Sequence, residues 1–205
     1  MRLIDTHSHL FLEEFSEDFP QVIERARAAG VTHIFMPNID STTIEAMLSA
    51  CSVYKGYCFP MIGLHPTSVN ANYEKELEIV ARELKFSKEY VAIGEIGMDL
   101  YWDKTYLKEQ QIVLDKQVNW ALEYDLPIVI HCRDAFDYIY KVLEPYKKTP
   151  LRGIFHSFTG TAEEATRVLE FSDFFIGING VVTFKKSHLP EILAGIPLAK
   201  IVLET

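Results

Sequence analysis

The sequence predicts an α/β fold, a TIM-type (β/α)8 barrel, and three observations lead to that prediction. Short runs rich in Val, Ile and Phe alternate along the chain with longer stretches of helical periodicity. No repeat or low-complexity linker interrupts the alternation. Histidines and one glutamate stand where several apolar runs end, and barrel enzymes carry their chemistry at that end of the strands.

The apolar runs are predicted strands because each is short, rich in β-branched or aromatic residues and bounded by turn residues. The central runs are apolar at nearly every position, as expected for parallel strands that are buried on both faces. The predicted strands span residues 2–5, 31–37, 58–64, 91–97, 126–132, 153–158, 174–179 and 200–205.

The predicted helices follow the strands in order, because apolar residues recur in them every three or four positions. Gly30 ends the first helix as a C-terminal cap, and the third helix is charged and amphipathic. They span residues 15–29, 42–54, 73–86, 105–124, 136–146, 161–170 and 189–194. A doubly wound open sheet is the alternative, but the glycine-rich dinucleotide fingerprint is absent from the sequence.

We predict a single domain over residues 1–205, because a chain of 205 residues that is 48% hydrophobic can bury one substantial core. The eighth predicted strand has no helix after it, whereas barrels of this type are typically about 250 residues long. We therefore expect a barrel that is truncated after strand 8 and lacks its C-terminal helix.

Composition limits the partners of the chain. The net charge of −9 argues against broad electrostatic binding to nucleic-acid duplexes. No apolar run approaches the roughly 18 residues of a membrane span, and the first residues lack the apolar region of a signal peptide. We expect a cytoplasmic protein with no membrane contact. The three cysteines show no C-x-x-C spacing and predict neither a disulfide framework nor a thiolate zinc site.

Five residues near predicted strand ends form a candidate metal-ligand set. Glu95 ends an apolar run, where a carboxylate is costly unless it is paired or bound to a cation. His7 and His9 alternate along the first strand and share one face. Together with His131 and His156 they suit two divalent ions, drawn from Zn, Mg, Mn and Co. Glu95 has two oxygens, so it can bridge one ion held by His7 and His9 and another held by His131 and His156.

Three further residues are candidates for binding substrate. The guanidinium of Arg133 suits a phosphate oxygen, and a salt bridge to a neighbouring aspartate is the alternative. His65 is a candidate for a hydrogen bond to substrate or to a ligand carboxylate, or is a loop histidine without such a role. Glu204 either faces the pocket as an acid or has a packing role. Residues 99–102 follow Glu95 and are candidates for the pocket wall, where aromatic faces can stack a base.

Six segments resemble the TatD-type metal-dependent deoxyribonucleases of the amidohydrolase superfamily. They are IDTHSHL, GLHP, GEIGMDLYW, PIVIHCRDA, FHSFTG and IVLET, and together they cover essentially the whole chain. The resemblance implies an eight-stranded βα barrel and a divalent-metal phosphodiesterase that acts on DNA, often as a 3′-to-5′ exonuclease on single strands or ends. It also implies the same five ligands, with Glu95 in the place that carboxylated lysine takes in other branches of the superfamily.

The sequence departs from that pattern at its last residues. The family pattern continues after Glu-Thr with an aspartate that binds metal and accepts a proton from the attacking water, and this sequence ends at Thr205. We therefore expect weak or no activity from these 205 residues. Two other functions stay open at this stage. They are an amidohydrolase or lactonase acting on a small molecule, and an inactive metal-binding fragment.

Overall fold

The strands of the computed structural model, which describes residues 2–205, are all paired in parallel. The strands are β1 (Leu3–Asp5), β2 (Val31–Pro37), β3 (Cys58–Met61), β4 (Ile93–Asp99), β5 (Ile128–Arg133), β6 (Gly153–Phe155), β7 (Phe174–Ile178) and β8 (Ile201–Leu203). The helices are α1 (Phe19–Ala28), α2 (Ile44–Val53), α3 (Tyr73–Phe86), α4 (Leu107–Glu123), α5 (Phe136–Leu143), α6 (Ala162–Val168) and α7 (Leu189–Leu193).

Two sheets in chain order make up the barrel. One contains β1, β2 and β3, and the other runs from β4 to β8. Beyond β3, Ile62 pairs in parallel with Ile93, and the Gly94 N–H donates to the Ile62 carbonyl at 2.9 Å. At the other edge the Thr6 N–H donates to the carbonyl of Leu203 at 3.1 Å. The two sheets therefore meet at both edges, and the predicted barrel is confirmed.

The gap between β8 and β1 is also spanned by side chains. Asp5 accepts hydrogen bonds from the backbone N–H of Thr205 at 3.1 Å and from its hydroxyl at 2.7 Å. The hydroxyl of Thr6 donates to the Leu203 carbonyl. These polar contacts replace most of the backbone ladder at this edge, so the closure depends on few bonds.

The main core lies between the strands and the helices that follow them. Ile96 and Ile130 on neighbouring strands are fully buried, as are Ile23, Leu114 and Ile139 on helices. Burying an aliphatic side chain of this size is worth about 1.5–3 kcal/mol, so these helices are held to the barrel mainly by apolar contacts. Within residues 2–205, no helix has the length and apolar character needed to cross a membrane.

Several predicted boundaries differ from those of the structure for identifiable reasons. The first helix begins at Phe19 rather than at residue 15, with Pro20 in its first turn, where proline favours helix initiation. The third strand ends at Met61, since Gly63 and Leu64 bond instead to side chains. Asn38 donates to the Gly63 carbonyl at 2.9 Å.

Two buried glutamines of α4 fix the backbone around the ends of β3 and β4. Gln117 accepts from the Leu64 N–H at 2.7 Å and donates to the Leu64 carbonyl. Gln110 makes the same pair of hydrogen bonds with the backbone of Asp99. The hydrogen bonds from Gln110 extend β4 to Asp99, two residues beyond the predicted end. The strand therefore carries one more carboxylate than predicted.

Gly97 allows β4 and β5 to approach closely at the level of the predicted ligands. Its φ is +137°, a conformation that residues with a Cβ rarely adopt. A Cβ added there would lie 2.0 Å from the carbonyl oxygen of His131. The backbone of β5 therefore leaves no space for any side chain at this position.

We expect Gly97→Ala to lower the free energy of unfolding by about 3 kcal/mol or more, because it combines backbone strain with a clash against another strand. Urea denaturation followed by circular dichroism measures the effect. Gly180→Ala is the matched control, since a Cβ there meets no atom within 4 Å, and it is expected to change stability by less than about 0.5 kcal/mol. Equal stability of the two variants would contradict the prediction.

Candidate metal centre

A buried carboxylate, Glu95, lies at the centre of the candidate site. It belongs to β4 and is only 2% exposed. Its Oε2 lies 3.1 Å from Nε2 of His7 and 3.2 Å from Nε2 of His9, two residues that follow β1. The alternation predicted from the sequence therefore does bring both of these imidazoles to one oxygen.

The other oxygen of Glu95 faces a different set of imidazoles. Oε1 lies 2.9 Å from Nδ1 of His131 on β5 and 3.0 Å from Nε2 of His156, which follows β6. It is also 3.3 Å from Nε2 of His65, in the segment after β3. The structure thus brings all five predicted ligands together with His65 at the carboxyl end of the barrel.

The side chains form three groups whose ligand atoms lie within 4.8 Å of one another. The groups are His7, His9 and Glu95; His65, Glu95 and His131; and His7, His156 and Glu204. The first is the group that we predicted for one ion. The second group differs from the prediction, because it combines His131 with His65 and not with His156.

The donor atoms of this cluster fit a cation. Four buried polar atoms have no hydrogen-bond partner within residues 2–205, namely Nδ1 of His7, His9 and His156, and Oε2 of Glu204. Buried polar groups are normally paired, so buried imidazole nitrogens and a carboxylate oxygen without a hydrogen-bond partner are atoms to which a cation could bind. Imidazole nitrogens and carboxylate oxygens without thiolates suit zinc, manganese, cobalt and related divalent ions.

The electrostatics of the cluster point in the same direction. Burial alone would raise the pKa of Glu95, but the charges of His156 and His7, with hydrogen bonds from the imidazoles, hold it well below its usual value. Burial opposes the charged form of His156 as well, yet Glu95 and Glu204 raise its pKa to about 10. Burial lowers the pKa of His7, whereas the carboxylates raise the pKa of His131 and His156. A divalent cation would displace protons from such imidazoles.

Asp99 supports the cluster and was not among the predicted ligands. Its Oδ2 lies 2.8 Å from Nε2 of His131, and its Oδ1 accepts the Tyr101 N–H at 3.1 Å. Burial opposes the charged form of His131, but hydrogen bonds to Asp99 and Glu95 raise its pKa. With a cation bound at Nδ1, the contact with Asp99 would keep the remaining proton on Nε2. The alternation of side chains along a strand places Asp99 on the same face as Glu95, because Glu95, Gly97 and Asp99 are two residues apart. The predicted strand ended at Gly97, so Asp99 was not included in the predicted site.

Hydrogen bonds also assign an orientation to His65. Its Nδ1 accepts the backbone N–H of Thr67 at 3.1 Å, so the proton of the neutral ring lies on Nε2. That nitrogen faces Oε1 of Glu95 at 3.3 Å. In this tautomer the N–H of His65, rather than a lone pair, is on the side of the ring that faces the carboxylate.

Arg133 and Glu204, the other predicted substrate residues, occupy different depths. Arg133 is exposed at the end of β5, with its guanidinium 3.9 Å from the ring centre of Tyr101. Within the described part of the chain no carboxylate lies within 4.0 Å of it, so the alternative of a salt bridge is not what the structure shows. Glu204 is buried, accepts the Ser157 N–H and lies 3.4 Å from Nδ1 of His156.

A cavity of about 360 Å³ opens beside the cluster, between the loops that follow β5 and β6. Arg133 and His156 line it on the side of the cluster, and Phe136, Phe158 and Thr159 line it further out. Ligand space therefore adjoins the buried carboxylate.

The family model for TatD related DNase matches residues 4–205 of this sequence. The chain belongs to the TatD-related DNase family. The resemblance found in the sequence motifs is thereby confirmed, and the family is one of metal-dependent hydrolases. The five histidines and Glu95 thus lie together in a member of a family in which a metal centre is expected.

Two relatives of this TatD-family protein illustrate the range of names in the family. The uncharacterized metal-dependent hydrolase YabD of Bacillus subtilis is 36% identical over 204 residues, which are 99% of this chain and 79% of that protein. The 3′-5′ ssDNA/RNA exonuclease TatD of Pantoea sp. (strain At-9b) is 32% identical over 205 residues, covering 99% of this chain and 78% of that protein.

Solved structures agree on the architecture. The crystal structure of the TatD homologue YjjV of Escherichia coli K12 superposes with a TM-score of 0.91 at 32% identity, covering all of this chain and 78% of that one. A TatD-family hydrolase of Entamoeba histolytica superposes with a TM-score of 0.85 at 23% identity, covering all of this chain and 73% of that one, and shows the fold alone.

We expect Asp99→Asn to weaken binding of a divalent ion by about 10- to 100-fold. The asparagine oxygen is needed by the Tyr101 N–H, so its NH₂ group would face His131 and favour the wrong tautomer. Titration calorimetry with Mn²⁺ or Zn²⁺ on chelator-treated protein measures the affinity directly.

Asp103→Asn is the matched control for this experiment. Asp103 lies on the loop after β4, and its side chain accepts hydrogen bonds from the backbone N–H and the hydroxyl of Thr105. Its substitution is expected to leave metal affinity unchanged. The same affinity in both variants, with unchanged circular dichroism, would contradict a role for Asp99 in orienting His131.

Proposed function

We propose that this protein is a divalent-metal-dependent phosphodiesterase that acts on DNA, as a 3′-to-5′ exonuclease on single strands or ends. The observation that carries the proposal is the arrangement around Glu95, whose two oxygens face two separate sets of imidazoles. A carboxylate in that position suits a centre of two ions, which is a common arrangement among enzymes that cleave phosphate esters. The names of relatives about 30% identical to this chain support the choice of nucleic acid as substrate.

We assign the ligands by the distances at the carboxylate. His7, His9 and Oε2 of Glu95 would hold one ion, and His131, His156 and Oε1 would hold the other. When bound, such a pair of ions activates water at neutral pH and neutralises charge on the phosphate.

The remaining residues of the site have roles that follow from their positions. Arg133 on the rim, with no carboxylate partner among residues 2–205, is available to bind a phosphate oxygen. His65, whose Nε2 lies 3.3 Å from Oε1 of Glu95, would help to orient the carboxylate. Glu204 accepts the Ser157 N–H and lies 3.4 Å from Nδ1 of His156, and so would position the loop after β6.

Hydrolysis of a small amide or lactone is the second candidate function. The cavity of about 360 Å³ beside the centre is large enough for a small molecule, and the same ligand set polarises a carbonyl as well as a phosphoryl group. The unpaired Arg133 at the entrance favours an anionic substrate and hence the phosphodiester.

The test is shortening of a 5′-labelled single-stranded DNA, with the protein in excess so that slow turnover is visible. We expect 3′-end shortening in the presence of Mn²⁺, Mg²⁺ or Zn²⁺ and none with a chelator. Glu95→Gln is expected to lower the rate at least about 100-fold, because it removes charge from a site that supplies several kcal/mol of stabilisation.

Glu45→Gln is the control, since Glu45 is exposed on α2 and is not one of the side chains of the strand-end cluster. It is expected to retain the full rate. Full-rate cleavage by chelator-treated protein would refute the metal-dependent mechanism. Turnover of a lactone or amide panel without any DNA cleavage would favour the second function.

A further inference from the structure

We propose that the indole of Trp102 is a stacking surface for a nucleobase of a single-stranded nucleic acid whose phosphodiester reaches the Glu95 centre. The inference rests on the proposed function and adds a specificity residue to it. Trp102 follows β4 on the same rim as Arg133. Three observations support this assignment: the exposure of the ring, the hydrogen bonds that connect its loop to the centre, and the arrangement of the neighbouring side chains.

The side chain of Trp102 is 79% exposed, so its ring contributes little to the core. Single exposed apolar side chains are common and need no function. This indole, however, lies next to Tyr101, which is 48% exposed, on the loop that leaves the strand of Glu95. Two adjacent exposed aromatic rings beside a candidate catalytic centre form a surface on which a flat ligand can bind.

A series of hydrogen bonds connects the loop of Trp102 to Glu95. Glu95 contacts His131, and His131 contacts Asp99 at 2.8 Å. Asp99 accepts the N–H of Tyr101, the residue before Trp102. Each contact is a hydrogen-bond distance, so the aromatic pair is attached to the cluster by three short links rather than placed on a distant loop.

The rings of Tyr101 and Trp102 have a defined arrangement with Arg133. The guanidinium of Arg133 lies 3.9 Å from the ring centre of Tyr101 and 5.9 Å from that of Trp102. The two aromatic rings are 4.6 Å apart and nearly perpendicular, at 89°. Arg133 thus occupies a face of Tyr101, and Tyr101 in turn supports Trp102. The indole stays exposed to a ligand, and the arginine charge is close enough to contact a phosphate attached to a base that stacks on it.

The chemistry of this surface selects a single strand. Base faces are covered by neighbouring base pairs in a duplex, whereas an unpaired base can lie on an aromatic ring. The chain carries a net charge of −9, so broad attraction of a polyanion does not supply the affinity. Stacking together with one local cation provides affinity without a basic surface.

Two oligonucleotides of equal length and charge separate stacking from phosphate binding. One is an oligothymidylate, and the other is built of abasic tetrahydrofuran units. We expect Trp102→Ala to raise the KM for the oligothymidylate by roughly 5- to 100-fold, the range for loss of one base–aromatic stack. The KM for the abasic oligomer should not change. Trp102→Phe should restore most of the loss, and Arg133→Ala should impair both substrates.

Phe86→Ala is the matched control, because Phe86 is 77% exposed at the end of α3 and lies outside the candidate centre. It is expected to change neither KM. A second readout does not need turnover. Binding of an oligonucleotide that contains 2-aminopurine, in the presence of a chelator, should quench the fluorescence of that base in the wild type and less in Trp102→Ala.

The outcomes separate this inference from the proposed function. Equal effects of Trp102→Ala on both oligomers, no effect on either, or 2-aminopurine binding that is absent or independent of Trp102 would overturn the stacking role even if DNA is cleaved. Binding of 2-aminopurine that depends on Trp102, without cleavage by the metal-loaded wild type, would refute the phosphodiesterase and retain the nucleobase site.

Discussion

A carboxylate that is almost completely excluded from water is the constraint on which this structure depends. Glu95 is 2% exposed, and a charge in that environment is tolerated only when opposite charges or hydrogen-bond donors surround it. The barrel meets this requirement by directing histidines from β5 and from the segments after β1, β3 and β6 at its two oxygens. The side chains that compensate this charge are also the ones that could hold a metal ion, so the same strand ends would serve both stability and metal binding.

The supports of the cluster come from one strand and one helix. Glu95 and Asp99 lie on the same strand, and Gly97 between them allows β5 to approach closely enough for both to meet His131. From α4, Gln110 holds the end of β4. Gln117, two turns along the same helix, holds the segment that leads to His65. A helix outside the barrel thus fixes two of the elements that deliver functional side chains.

Much of the fold could be predicted from the sequence, because apolar runs and helical periodicity reflect burial directly. The bounds of β2 and α3 were predicted to the residue, and the convergence of the strand-end histidines followed from the barrel. The end of β3 and the extension of β4 were missed, since both depend on buried glutamine side chains from α4. In a sequence, a glutamine in an amphipathic helix is typical of a solvent-facing position. The contribution of Asp99 was missed for the same reason, because its role appears only when β4 is extended.

The cluster lies beside the closure between β8 and β1, so ion binding there would affect the stability of the barrel. That edge is held by the Thr6 and Leu203 contact and by Asp5 with Thr205, whereas within each of the two sheets neighbouring strands pair directly in parallel. His7 and His9 extend directly from this lightly bonded edge, and Glu95 belongs to the opposite sheet. A cation shared by the three would cross-link the sheets, so local opening of β1 would require release of the ion as well as rupture of a few hydrogen bonds. Amide exchange along β1 would then report ion occupancy, and barrel closure and ion binding would form a single coupled equilibrium.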